Sequence, residues 1–327
     1  MLINQHRSLS GLNVFLVIFV GTILCLGAYL HLPEQLTPVL FEPGLDRLVG
    51  LELGPSFSPS ANVMITLALT LVQAFALNKV VNHYNLLGKP SFLTSLMFMT
   101  LVSLFIPFLV LSPTLICNFI TIWMLQKLFN IYKHVDIKGI MFDLGLLVAV
   151  GSLIYFPFIV MLLLIWSSLV IFRAFYWREW VTPLLGVLTV YFLLAVAYFW
   201  LERMDEFYQI FLPFTYAFPT KLNMDVHDYF VLIPVLIAIG GFLFILKDNF
   251  FKSVVQIRKS FQLLFIMIIL IFASFYLNQD RSINHFLLAV PAISIYLAYF
   301  FTHAKVKWFY ETLYIVILLT IIYFQFF

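Results

Sequence analysis

Asp143-LGLLVAVGSLI-Tyr155-Phe156-Pro157-FIVMLLLIWSSLVI-Phe172 is a run of thirty residues with no charge after its first position. As one helix it would extend roughly 45 Å at 1.5 Å per residue, well beyond the ~30 Å of a bilayer's hydrocarbon core. Proline in a helix interior loses a hydrogen bond and clashes with the preceding turn, so Pro157 favours a break. The flanks decide the reading: Lys133 and Lys138 precede the stretch, Arg173 and Arg178 follow it. Lys- and Arg-rich loops collect on the cytoplasmic side, and only an even number of passes brings both flanks there. The stretch reads as two short helices.

The rest of the chain makes lipid the expected solvent. Hydrophobic residues make up 63% of the 327, charged residues 10%, and the mean hydropathy is +1.05. A soluble domain is nearer half apolar and a quarter charged. Backbone groups in hydrocarbon must be satisfied within the segment, and long continuous apolar runs do not alternate as barrel strands do. The expected fold is all-α, a polytopic transmembrane bundle forming one integral membrane domain over 1–327.

Further spans read as Gly11 to Leu32, Ala61 to Leu77, Phe92 to Leu111, Thr114 to Phe129, Thr182 to Leu201, Tyr229 to Leu246, Phe261 to Leu277, Ile283 to Phe301 and Tyr310 to Phe327. With the hairpin this makes about 11 crossings. A cytoplasmic N-terminus places fourteen Lys and Arg residues in inner loops and four outside, which are Arg47, Arg203, Lys221 and Arg281. The C-terminus is then external, as are loops 33–60, 202–228 and 278–282. The first span lacks the short apolar region and small-residue cleavage site of a signal peptide. Cys25 and Cys117 fall inside apolar spans and read as small buried side chains.

Loop 33–60 carries Glu34, Glu42, Asp46 and Glu52 against the single base Arg47. Carboxylates near the low-dielectric boundary could supply a general base or bind a divalent cation; the plain alternative is four solvated acids. Asp225-Val-His227-Asp228 offers metal-capable side chains, but Asp228 serves equally as a helix cap before Tyr229. In Asn278-Gln-Asp-Arg281-Ser-Ile-Asn284-His285, the arginine could grip a lipid phosphate through paired hydrogen bonds, or snorkel as an anchor. On the inner face, Arg173-Ala-Phe-Tyr-Trp-Arg178-Glu-Trp180 reads as an aromatic and basic girdle, or as a docking surface for a cytoplasmic partner together with Lys247–Ser260.

Histidines do not repeat at ligand spacing, which argues against a di-iron oxygenase, and no other cofactor is called for. Mid-span residues are polar but uncharged, such as Gln73, Asn118 and Gln262, which disfavours ion-coupled transport of a solute or lipid. No basic patch with interleaved aromatics points to nucleic acid.

Phe142-Asp-Leu-Gly145, Tyr155-Phe-Pro157 and Arg173…Arg178-Glu-Trp180 before Gly186 resemble an uncharacterised family of polytopic membrane proteins from Bacteroidota, implying a bacterial inner-membrane location. The external carboxylate loop, the paired short helices and Arg281-Ser-Ile-Asn-His-Phe-Leu-Leu-Ala-Val-Pro-Ala292 are similar to GT-C glycosyltransferases. That likeness implies a polyprenyl-phosphate sugar donor at the external face. It casts Glu42 or Asp46 as base or metal ligand and Arg281 as the phosphate clamp; Arg47 in the same loop and His285 near Arg281 are further candidate substrate contacts. This first loop departs from the pattern: it is short and has no Asp-x-Asp pair. The readings from other classes are a non-enzymatic membrane subunit of a cell-envelope or secretion complex and, third, a lipid or solute transporter.

Overall fold

The computed structural model describes residues 2–7, 11–30, 58–134, 136–211, 254–277, 282–304 and 306–326. Among these residues every regular element is helical. Five helical stretches are long and apolar enough to cross a membrane: Gly11–Leu30, Pro59–His83, Trp177–Trp200, Val255–Ser274 and Ile283–His303. Leu93–Val102 and Phe156–Phe172 are shorter apolar helical stretches. The span expected at Tyr229 to Leu246, most of loops 33–60 and 202–228, and residues 278–281 lie outside the described residues.

After a short N-terminal helix α1 (Leu2–His6), α2 (Gly11–Leu30) and α3 (Pro59–His83) form the first pair. Ser58 caps α3 by accepting from the Ala61 amide at 3.3 Å, and Pro59 occupies the first turn, where its missing N–H costs nothing. The helix therefore starts two residues earlier than the hydropathy edge at Ala61. It also runs through Lys79 to His83, which the sequence assigns to a polar loop.

The hairpin at 143–172 breaks where the proline lies. α6 (Lys138–Ile154) ends at Tyr155, whose backbone is extended at φ −147°, ψ 104°. A 3-10 turn over Phe156–Val160 leads into α7 (Met161–Phe172). The preceding hairpin is less regular than hydropathy implies. α4 (Leu93–Val102) is wholly buried and stops nine residues short of the expected Leu111. Pro107 then forces a 3-10 turn at Ile106–Leu109 before Ser112 caps α5 (Pro113–Asn130).

α8 (Trp177–Trp200) packs most extensively on α6, and a glycine pair permits it. A Cβ on Gly145 would collide with the Pro183 backbone carbonyl, and one on Gly186 with that of Phe142. Close backbone approach at small residues is how helices associate where lipid removes the hydrophobic drive between them. α9 (Met204–Gln209) folds back so that Phe207 meets Tyr198 at 6.0 Å and Phe211, just beyond it, meets Tyr191 at 5.5 Å.

α10 (Val255–Ser274) precedes a second irregular passage, a 3-10 stretch at Ile283–Ala289 that becomes α11 (Val290–His303). Pro291 cannot donate to Leu287, and the helix tightens there: the Leu287 carbonyl accepts instead from the Val290 amide. This passage is the centre of the molecule: 83% of its apolar window is buried, against 17% for α8 at the periphery. α12 (Lys307–Phe326) closes the chain. Arg7 reaches across to donate to the carbonyls of Phe301 and Ala304 at 2.6–3.0 Å, placing a cation at the C-terminal end of α11.

Candidate functional site

Glu42, Asp46, Arg47 and Arg281 lie outside the described residues, as does Asp225-Val-His227-Asp228. His285 is described, and it is fully buried. It stands in the 3-10 stretch just after Ser282, whose hydroxyl caps that stretch by accepting from the Asn284 amide at 3.2 Å. Arg281 precedes His285 by four positions in the sequence.

Both ring nitrogens are engaged. Nε2 lies 2.8 Å from the Ile271 carbonyl, which can only accept, so Nε2 carries the proton. Nδ1 is then the bare acceptor, and the Tyr155 hydroxyl donates to it at 2.8 Å. Ser274 Oγ lies 3.2 Å from Nε2 and donates to the Ile271 carbonyl at 2.9 Å. Phe275 and Phe286 pack edge-on against the imidazole. Three interruptions of the helical pattern thus converge on one ring: the extended residue between α6 and α7, the end of α10, and the 3-10 entry to α11. What this arrangement does chemically is hold; His285 is a pivot for the mouth of the bundle, with no nitrogen left over for a ligand.

A second set of polar side chains extends the frame inward. Asn118 Nδ2 donates at 3.1 Å to the Leu287 carbonyl, which also accepts from the Val290 amide. Gln73 Nε2 donates at 2.7 Å to the Leu115 carbonyl, one turn from Asn118 on α5. These two mid-span amides join α3, α5 and the central passage, whereas Gln262 is exposed. Tyr155 and Ser274 are the participants that sequence reasoning missed. Tyr155 stood out only as part of a helix break, and no local signal links it to a histidine 130 positions away.

At the opposite end, the Arg173–Trp180 stretch is anchored from within. Glu179 is buried and pairs with Arg173 at 3.4 Å, and Trp166 Nε1 donates to the Trp180 carbonyl at 3.1 Å. Phe175 and Trp177 remain exposed, with the Arg178 guanidinium 5.6 Å from the Trp177 ring centre. Among the described residues, no group of three or more His, Cys, Asp or Glu side chains is placed to hold a metal ion.

Residues 55–327 match a family described as a family of unknown function, DUF6427. The match includes Arg281 and His285 and leaves Glu42, Asp46 and Arg47 before it. No curated protein and no solved structure matches the chain.

Proposed function

The chain belongs to the DUF6427 family of unknown function, and from that premise we propose a GT-C-like protein of the bacterial inner membrane that handles a lipid-linked substrate. The substrate class is a polyprenyl-phosphate-linked sugar or a related lipid phosphate, taken at the external face. In this arrangement the chain crosses the membrane eleven times with its N-terminus inside.

The observation that carries the reading is the His285 pivot. A phosphate clamp is effective only when its supporting shell is rigid. The bonds from His285 to Tyr155 and Ile271 brace the chain four positions after Arg281 in the sequence. Arg281 then grips the phosphate, Arg47 adds charge, and His285 acts as a positioning residue. Glu42 or Asp46 takes the proton from an acceptor hydroxyl as its oxygen bonds the sugar C1 and the C1–O bond to phosphate breaks.

The test is a set of three variants, Glu42→Gln, Asp46→Asn and Arg281→Ala, compared with wild type for donor consumption and cell phenotype. The reading expects a loss of about 10²-fold or more in Arg281→Ala and in at least one carboxylate variant. Wild-type behaviour in all three would sink it.

A second reading, a non-enzymatic subunit of an envelope complex, is favoured by the exposed Phe175 and Trp177 beside Arg178. It expects a stoichiometric protein partner in mild detergent, released by Trp177→Ala together with Phe175→Ala.

A further inference from the structure

We propose that the hairpin of α3 and α4 binds an internal water molecule between Asn78, Ser91 and Thr94. Two cross-links fix the register of this hairpin. Asn82 holds the Ser91 backbone at both of its polar groups: Nδ2 donates to the carbonyl at 3.0 Å, and Oδ1 accepts from the amide at 3.1 Å. Further along, Ser95 Oγ donates to the Ala74 carbonyl at 3.1 Å. Ala74, Asn78 and Asn82 follow at steps of four, so they share the face of α3 that meets α4. Asn78 thus stands between the two cross-links on one arm of the hairpin, and Thr94 stands between them on the other.

All three side chains are buried, Asn78 to 4% exposure and Ser91 and Thr94 to none. Among the described residues, Asn78 Oδ1, Ser91 Oγ and Thr94 Oγ1 have no hydrogen-bond partner. A helical Ser or Thr hydroxyl can donate to the carbonyl one turn back. Thr100 on α4 does so to Leu96 at 2.8 Å, and Ser103 at the end of α4 does so to Met99 at 2.9 Å. Thr94, in the first turn of the same helix, makes no such bond. A buried oxygen without a partner carries its full desolvation cost, so three of them bracketed by two cross-links mark a place for a hydrogen-bonding guest.

The donors and acceptors on offer select that guest. Asn78 Oδ1 can only accept, whereas each hydroxyl can donate or accept. Water does both, and a buried water makes about three hydrogen bonds, one for each of these oxygens. A divalent cation would want six or more oxygens and a counter-charge, and residues 58–134 contain no Asp or Glu. An anion would be turned away by the bare Asn78 oxygen, and an apolar group would leave all three oxygens unpaired. At this level α3 and α4 are therefore joined through solvent.

The test is X-ray radiolytic labelling of the full-length protein in nanodiscs, read by mass spectrometry. Irradiation splits water where it is held, and the hydroxyl radicals oxidise the side chains around it, including those that bulk water does not reach. Met97 is 1% exposed and lies three positions after Thr94, on the same face of α4. Met141 on α6 and Met267 on α10 are fully buried and serve as references. The proposal expects Met97 to be oxidised well above both references.

Thr94→Val keeps the shape of the side chain and removes its hydroxyl. It should abolish the Met97 label and lower the melting temperature, because the water loses a partner and the Asn78 and Ser91 oxygens are stranded. Thr94→Ser retains a hydroxyl and should retain the label. A wild-type Met97 as silent as the references overturns the proposal, as does a label that persists undiminished in Thr94→Val. A Thr94→Val protein that melts above wild type also overturns it, since deleting an unpaired oxygen relieves a dry site.

Discussion

Removing one oxygen from Tyr155 tests the pivot at its smallest scale. Tyr155→Phe keeps the ring and its packing but strands Nδ1 of His285 in a fully buried setting. An unsatisfied buried acceptor costs about 1–3 kcal/mol, so the detergent-solubilised protein should unfold several degrees lower. An unchanged melting temperature would mean that the bond contributes nothing. His285→Asn should be worse, because a shorter side chain cannot bridge Tyr155 and the Ile271 carbonyl together. This cluster was half legible in the sequence. His285 stood out beside Arg281 at a helix mouth, but as a substrate contact; its actual partners come from residues 130 and 14 positions away. Sequence spacing carries no information about such distant contacts.

Between helices, the α6–α8 contact depends on the absence of two Cβ atoms. Gly186→Ala and Gly145→Ala each push a methyl into backbone atoms of the facing helix, and backbone yields less readily than a side chain. Each should destabilise by about 1–3 kcal/mol, seen as lower folded yield and a lower melting temperature. Gly139→Ala, on the same α6, meets open space within 4 Å and should be neutral or mildly stabilising. If all three behaved alike, close packing at 145 and 186 would not be what joins these helices. The prolines show why hydropathy read some elements better than others. Pro157 sits in the middle of an overlong run with charge on both flanks, so its break was legible. Pro107 and Pro291 lie inside runs of ordinary length, and the 3-10 turns they impose leave average hydropathy unchanged. Only the backbone hydrogen bonds expose them, as where the Leu287 carbonyl, out of reach of Pro291, accepts from the Val290 amide and from Asn118.

At the scale of the whole molecule, chain ends far apart in sequence are held together. Arg7 donates to the Phe301 and Ala304 carbonyls and lies 4.3 Å from the Tyr310 ring centre. Arg7→Ala should lower the melting temperature and speed proteolysis of the N-terminal segment, while Arg7→Lys should recover little, because one ammonium cannot copy the fork. The architecture assembled this way is, among the described residues, a bundle of apolar helices with five stretches long enough to cross a membrane, and the sequence conveyed its all-helical class through composition. Whether Arg281 holds a lipid phosphate, as proposed, is decided most directly by native mass spectrometry. Wild-type protein and Arg281→Ala, released from the membrane in mild detergent, would be compared for bound lipid. The account predicts a polyprenyl phosphate or its sugar-linked form on the wild type and its loss in the variant. Wild-type protein carrying no such lipid, or an equal amount on Arg281→Ala, would contradict it.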